Sequence, residues 1–98
     1  MPIQHTVVFR LIHAPGSAAE QKFFADARTA LGGIPGVADF EIARQVSAKS
    51  DLTHRFSMAF VDESAYRAYD EHPVHVAFVA ERWTREVAQF QEYDYIVL

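Results

Sequence analysis

The stretch from Ile3 to Ile12 alternates along its whole length. His5, Val7, Phe9 and Leu11 fall on one side, and Thr6, Val8, Arg10 and Ile12 on the other. A period of two is the signature of a strand. Both sides are largely apolar, so a strand of this kind must be covered on both faces. The chain is therefore restricted to a layered fold, and Pro15-Gly16 ends its first element.

The remaining segments supply the layers. Ser17-Ala18-Ala19-Glu20 fits a capping box, in which serine and glutamate each satisfy a backbone N–H. Phe23, Phe24, Ala27 and Leu31 follow at helical spacing until Gly32-Gly33-Ile34-Pro35-Gly36 stops the helix. Val37 to Val46 reads as a second strand with Phe40 and Ile42 on one face. His54 to Val61 reads as a third, in which His54, Phe56, Met58 and Phe60 share a face. Asp62-Glu63-Ser64 opens a short helix, with acidic residues where the helix dipole favours them, and Ala65, Ala68 and Tyr69 form its inner side. A third helix is expected from Pro73 to about Gln89, its stripe made of Val76, Val79, Ala80, Trp83 and Val87. Phe90 to Leu98 alternates again, with Phe90, Glu92, Asp94 and Ile96 on one side and Gln91, Tyr93, Tyr95 and Val97 on the other.

The resulting order, β-α-β-β-α-α-β, is a split βαβ arrangement. It predicts an α+β, ferredoxin-like fold: a four-stranded antiparallel sheet with helices on one face, in one domain spanning residues 1–98. The uncovered face would carry Val8, Ile12, Tyr93, Tyr95 and Val97, too much apolar area to leave wet. A homodimer packed through this open sheet face is the expectation.

Composition narrows the function classes. The chain of 98 residues has no cysteine, which excludes disulfides, thiolate catalysis and zinc–thiolate or iron–sulfur sites. A net charge of −4 without a basic cluster argues against nucleic acid as a principal partner. No apolar run approaches membrane-spanning length and no leader pattern opens the sequence, so no membrane partner and a cytoplasmic location are expected.

The run Tyr69-Asp70-Glu71-His72-Pro73-Val74-His75-Val76-Ala77-Phe78 holds the densest chemistry. Proline suits the first helical position because it has no N–H to lose and its φ is already helical. His72 is then the N-cap and His75 lies in the first turn. The positive end of the helix disfavours a cationic imidazole there, and a neutral ring can take a proton. Read functionally, His75 is a general base and Tyr69 its hydroxyl partner, able to donate to a carbonyl oxygen as it becomes an enolate. Read structurally, His75 bonds a neighbouring backbone carbonyl and Tyr69 is core. His72 and His75 could share a metal with His5 or Asp94, but an N-cap side chain turns back to its own helix end, and no metal site is expected.

With that run and the element order in hand, the chain resembles the stress-responsive A/B barrel (Dabb) family. The likeness extends from the Gln4-His5-Thr6-Val7-Val8-Phe9 strand through Ile34-Pro35-Gly36-Val37 and the segment Ala65 to His75, ending at Tyr93-Asp94-Tyr95. It implies a dimeric α+β barrel with a pocket between sheet and helices. The family includes stress-induced plant proteins and a cofactor-independent plant polyketide cyclase whose acid–base pair corresponds to His75 and Tyr69. Pocket histidines of that cyclase correspond to His5 and His54. Ala27 stands where it has a pocket tyrosine, and Glu92 where it has an apolar residue. Some relatives hold magnesium through backbone carbonyls in the turn matching residues 33–37.

The expected site is thus His75 and Tyr69 as the catalytic pair, with Asp94 as an acceptor orienting His75. His5, His54, Phe9, Phe23, Phe24, Phe56, Met58 and Phe78 would line the substrate cavity. From pattern alone the aromatic residues are core, His5 is a satisfied core histidine, His54 is an exposed strand-end residue and His13 a solvated loop residue. Asp94 or Glu92 could instead pair with Arg82. The ligand would be a small apolar carbonyl or carboxylate compound, with no cofactor. The two functional expectations are a cofactor-independent acid–base enzyme (cyclase, isomerase or lyase) acting next to a carbonyl, or a non-catalytic stress-responsive or ligand-holding dimer.

Overall fold

β1 (Ile3–Leu11), β2 (Ala38–Arg44), β3 (His54–Phe60) and β4 (Val87–Tyr95) form one antiparallel sheet in the order β2-β3-β1-β4. This is seen in a computed structural model, which describes residues 1–98. The helical elements are α1 (Ala18–Ala30), α2 (Glu63–Glu71), α3 (Pro73–Phe78), a π-helical turn (Val79–Trp83) and α4 (Thr84–Glu86). The split βαβ order expected from the sequence is the order observed.

Local chemistry accounts for the boundaries. Ser17 Oγ accepts from the Glu20 N–H at 3.2 Å, while Glu20 reaches back one residue further than a capping box requires, to the Gly16 N–H at 3.0 Å. α1 ends where Gly32 and Gly33 approach the preceding turn. A β carbon on Gly32 would lie 2.6 Å from the Arg28 carbonyl oxygen. Gly36 follows at φ +89°, a conformation only glycine takes at no steric cost. Pro73 occupies the first turn of α3, and the His72 ring accepts from the Val74 N–H at 3.1 Å, so His72 is the N-cap.

The last helix departs from expectation. Its helical run stops at Glu86, three residues early, and it widens into a π turn at Val79–Trp83, where the Thr84 N–H reaches the Val79 carbonyl. The residues that follow are claimed by the sheet: Leu11 pairs with Val87 and Arg10 with Gln89, and the Ile12 N–H bonds the Glu86 carbonyl at 2.8 Å. Ladder pairing along β1 outweighs the apolar helical stripe that Val87 also fits.

One face of the sheet packs on the helices. Phe9, Phe23, Phe56 and Phe60 are fully buried there, with Val7, Leu11, Ala27, Leu31, Ile34, Met58, Tyr69 and Phe78 around them. Burial of a large apolar side chain stabilises by roughly 1.5–3 kcal/mol. The opposite face carries Gln4, Thr6, Val8 and Arg10 from β1 beside Gln91, Tyr93 and Tyr95 from β4, and it has no covering layer within the chain. This face is less apolar than the sequence suggested. Ile12 and Val97, expected on it from the alternation, lie beyond the ends of β1 and β4. No helix is long and apolar enough to cross a membrane.

Candidate functional site

A cavity of about 220 Å³ opens between the helix-facing side of the sheet and the α2–α3 corner. Its floor is Val7, Phe56 and Met58, and Leu31, Val79, Trp83 and Phe90 close its apolar sides. Its polar groups are His5 on β1, Glu92 on β4, and Tyr69, Asp70 and His75 at the corner.

Tyr69 and His75 meet on one wall, their ring centroids 4.5 Å apart. The Pro73 break between α2 and α3 folds the chain so that these side chains, six positions apart, face each other. His75 Nδ1 lies 2.9 Å from the Asp70 carbonyl oxygen. A carbonyl can only accept, so Nδ1 carries the proton and the Nε2 of a neutral ring is left with a lone pair. That bond is the one a structural histidine would make, and it also fixes the tautomer a base needs. Tyr69 is 2 % exposed, and its hydroxyl makes no hydrogen bond within the protein. Burial, followed by the nearby charges of Asp70 and Glu92, raises its pKa, so it remains a neutral donor.

His5 lines the same cavity, its ring centroid 6.2 Å from that of Tyr69. Its Nδ1 is 2.6 Å from Asp94 Oδ1 and 2.8 Å from the Tyr66 hydroxyl, which itself donates to Asp94 Oδ2 at 3.0 Å. A carboxylate accepts from both neighbours if Nδ1 bears a hydrogen, and His5 Nε2 is then the nitrogen without a protein partner. Asp94, expected to orient His75, holds His5 instead. Antiparallel register places residues 5 and 94 directly opposite each other, whereas His75 is already bonded to its own corner. Burial and then the Asp94 carboxylate raise the Tyr66 pKa.

The other expected residues lie elsewhere. Phe9 and Phe23 are sealed in the core, and Phe78 and Phe24 pack with them rather than lining the cavity. Only Phe56 and Met58 of the expected apolar set reach it. His54 sits at the other end of the buried face, opposite Phe9, packed on Phe24 with ring centroids 4.7 Å apart and bonded to Thr53 Oγ1 at 2.9 Å. It is half-buried rather than exposed, and burial lowers its pKa. It borders a separate, wetter hollow. His13 is not a free loop residue, since its Nε2 lies 2.7 Å from Glu86 Oε1. Arg82 pairs with Asp26 and Glu86, each at 2.5 Å, and with neither Glu92 nor Asp94.

No three His, Asp or Glu side chains converge on a point that would hold a metal ion. The 33–37 turn offers a cation carbonyl oxygens only, with no Asp or Glu between those positions. Sequence reasoning missed Tyr66 beside the cavity and Val7, Leu31, Asp70, Val79, Trp83 and Phe90 in its lining. Tyr66 was legible in principle, because it lies one turn before Tyr69 on α2.

Residues 3–97 match the family model of the stress-responsive A/B barrel domain. A Dabb-family protein of ferredoxin-like fold from Mesorhizobium loti is 50% identical, with a TM-score of 0.98 over 99% of this chain and 97% of that one. A hydroxynitrile lyase from Passiflora edulis shares 16% identity, with a TM-score of 0.82 over 99% of this chain and 94% of that one. The cofactor-independent oxygenase SnoaB from Streptomyces nogalater shares 16%, with a TM-score of 0.76 over 98% and 92%. At these lower identities the likeness is one of fold. No curated protein matches the sequence. The fold, the match along nearly the whole chain and the half-identical relative agree, and the chain belongs to the stress-responsive A/B barrel (Dabb) domain family.

Proposed function

We propose that the protein is a small cofactor-independent enzyme that moves a proton next to the carbonyl of a neutral substrate. The observation carrying this reading is the Tyr69–His75 pair on the cavity wall, with a free hydroxyl and an unpartnered Nε2. His75 removes the proton, and the Tyr69 hydroxyl donates to the oxygen as negative charge gathers on it. Known proteins on this fold, described as a hydroxynitrile lyase and a cofactor-independent oxygenase, support chemistry of this general kind.

The lining also bears on the ligand. Asp70 and Glu92 border the cavity and no lysine or arginine does. A carboxylate would meet like charge without a cation to pair with, so the lining suits an uncharged carbonyl compound and not the carboxylate that the sequence also allows. At about 220 Å³ the space is smaller than the ~300–1,000 Å³ typical of drug-sized ligands, which favours a compact molecule.

The working unit in this proposal is a homodimer closed through the open sheet face. Solved structures of this fold from Thermobifida fusca and Bacteroides fragilis are described as dimeric, at 18% and 17% identity. The test of function is turnover on a panel of neutral β-keto compounds. His75→Ala is expected to lower it by ~10²–10⁴-fold, the usual worth of a general base. Unchanged turnover would leave a ligand-holding dimer as the better description.

A further inference from the structure

His5 is the one histidine among the fourteen buried residues of the chain, and apart from Tyr69 the other buried side chains are wholly apolar. On a face otherwise made of Val7, Phe9 and Leu11 an imidazole is costly unless its polar atoms are used. One nitrogen of this β1 residue is held from two other elements: β4 supplies Asp94 at 2.6 Å, and α2 supplies the Tyr66 hydroxyl at 2.8 Å. The other nitrogen, Nε2, is left free on a residue that lines the cavity. His75 has the same construction, with Nδ1 held by a carbonyl at 2.9 Å and Nε2 free on the same cavity. Tyr69 neighbours both rings, its centroid 6.2 Å from that of His5 and 4.5 Å from that of His75.

We propose that His5 and His75 form a two-imidazole relay that makes the site an isomerase for small uncharged β,γ-unsaturated ketones, with Asp94 and Tyr66 as positioning residues. The inference rests on the proposed proton transfer at His75 and narrows it to one substrate class. His75 Nε2 takes the α-proton and becomes an imidazolium. The electrons of that C–H bond enter a dienolate whose oxygen accepts from the Tyr69 hydroxyl. An imidazolium His5, its charge balanced by Asp94, gives its Nε2 proton to the γ-carbon, and the dienolate electrons form the new C–H bond. A proton passed from His75 to His5 through water restores both rings. Nothing is oxidised or reduced, and the product is the conjugated enone.

The experiment uses 3-cyclohexen-1-one in D₂O, following conversion by the absorbance of the conjugated enone and α-exchange by proton NMR. The wild-type protein is expected to catalyse both, with deuterium appearing at the γ-carbon. His5→Gln is expected to lower the ratio of conversion to α-exchange by roughly 100-fold, as for loss of a general acid. His75→Gln should depress both rates together and leave the ratio unchanged. Asp94→Asn, whose side chain is half-exposed, should lower the ratio in the same direction and serves if His5→Gln does not fold. Wild-type exchange without conversion, or an unaltered ratio in both His5→Gln and Asp94→Asn, would overturn the relay while leaving His75 as a base. Neither exchange nor conversion by the wild-type protein would overturn the relay and count against the base as well.

Discussion

His5 and Asp94, 89 positions apart in sequence, lie directly opposite each other on β1 and β4, with Nδ1 2.6 Å from the carboxylate. The imidazole is buried on the interior strand β1, and the carboxylate is half-exposed on the edge strand β4. Tyr66 bonds both partners.

This pair orders a ring more than it stabilises the fold. The Asp94 side chain is 45% exposed, so Asp94→Asn should cost no more than about 1 kcal/mol, the range of solvent-screened pairs. The His5 ring should nevertheless change state. Nitrogen NMR of the histidine side chains is expected to show a protonated Nδ1 in the parent protein and a mixture of tautomers in the variant.

The aromatic core has the larger stake in stability. Phe9 and Phe56 are fully buried, with ring centroids 4.6 Å apart. Phe56→Ala should destabilise by about 3–5 kcal/mol. At ~4–8 °C per kcal/mol for a domain of this size, thermal unfolding should show a drop of at least 12 °C, on the order of 12–40 °C. A smaller shift would mean that the neighbouring rings collapse into the space.

Acid should loosen the join between α1 and α4. Arg82 bridges Asp26 and Glu86. Burial alone would raise the Glu86 pKa, but its bonds to Arg82 and His13 outweigh that and hold it below the ordinary value of 4.5. Asp26 is lowered by Arg82 and then Lys22. A depressed folded-state pKa means that the unfolded chain binds protons first as pH falls. The stabilisation is therefore present above about pH 4.5 and is lost below it as each folded-state carboxylate protonates. Denaturant melts between pH 3 and 6 should show this slope, and Glu86→Gln should flatten it.

Alkali acts in the opposite sense through the site tyrosines. Burial raises both Tyr66 and Tyr69 above the ordinary value of 10.0. Groups that hold their protons more tightly when folded stabilise fully below that value and cease to do so as pH rises through their folded-state pKa. Stability should begin to fall above about pH 10, with the phenolate absorbance of these two rings rising in step with unfolding. Phe at both positions should remove the linked loss.

The open sheet face should be the site of self-association. Val8 and Tyr93 lie on it, on adjacent β1 and β4. Val8→Lys with Tyr93→Lys is expected to give a particle of half the mass by light scattering, with unchanged circular dichroism. A parent protein that is monomeric at micromolar concentration would sink the dimer.

Much of this architecture was legible along the chain because its causes are local. Alternation in residues 3–11 and 54–60, the Ser17 cap, the Gly32–Gly36 stop and the His72-Pro73 entry act within a few residues of themselves. They yielded the element order and the α+β class. The end of the last helix was not legible, because Val87 fits an apolar helical stripe as readily as a strand. Only its pairing with Leu11 decides between them.

The same division holds at the site. The sequence by itself determined that His75 and Tyr69 share a corner, since Pro73 and the helical spacing place them. Only the tertiary structure decided that Asp94 serves His5, that Tyr66 joins them, and that Phe9 and Phe23 fill space rather than line it. Contacts between residues 61 or 89 positions apart are set by strand register and helix docking, and periodicity within one segment carries no record of which side chain will stand opposite it.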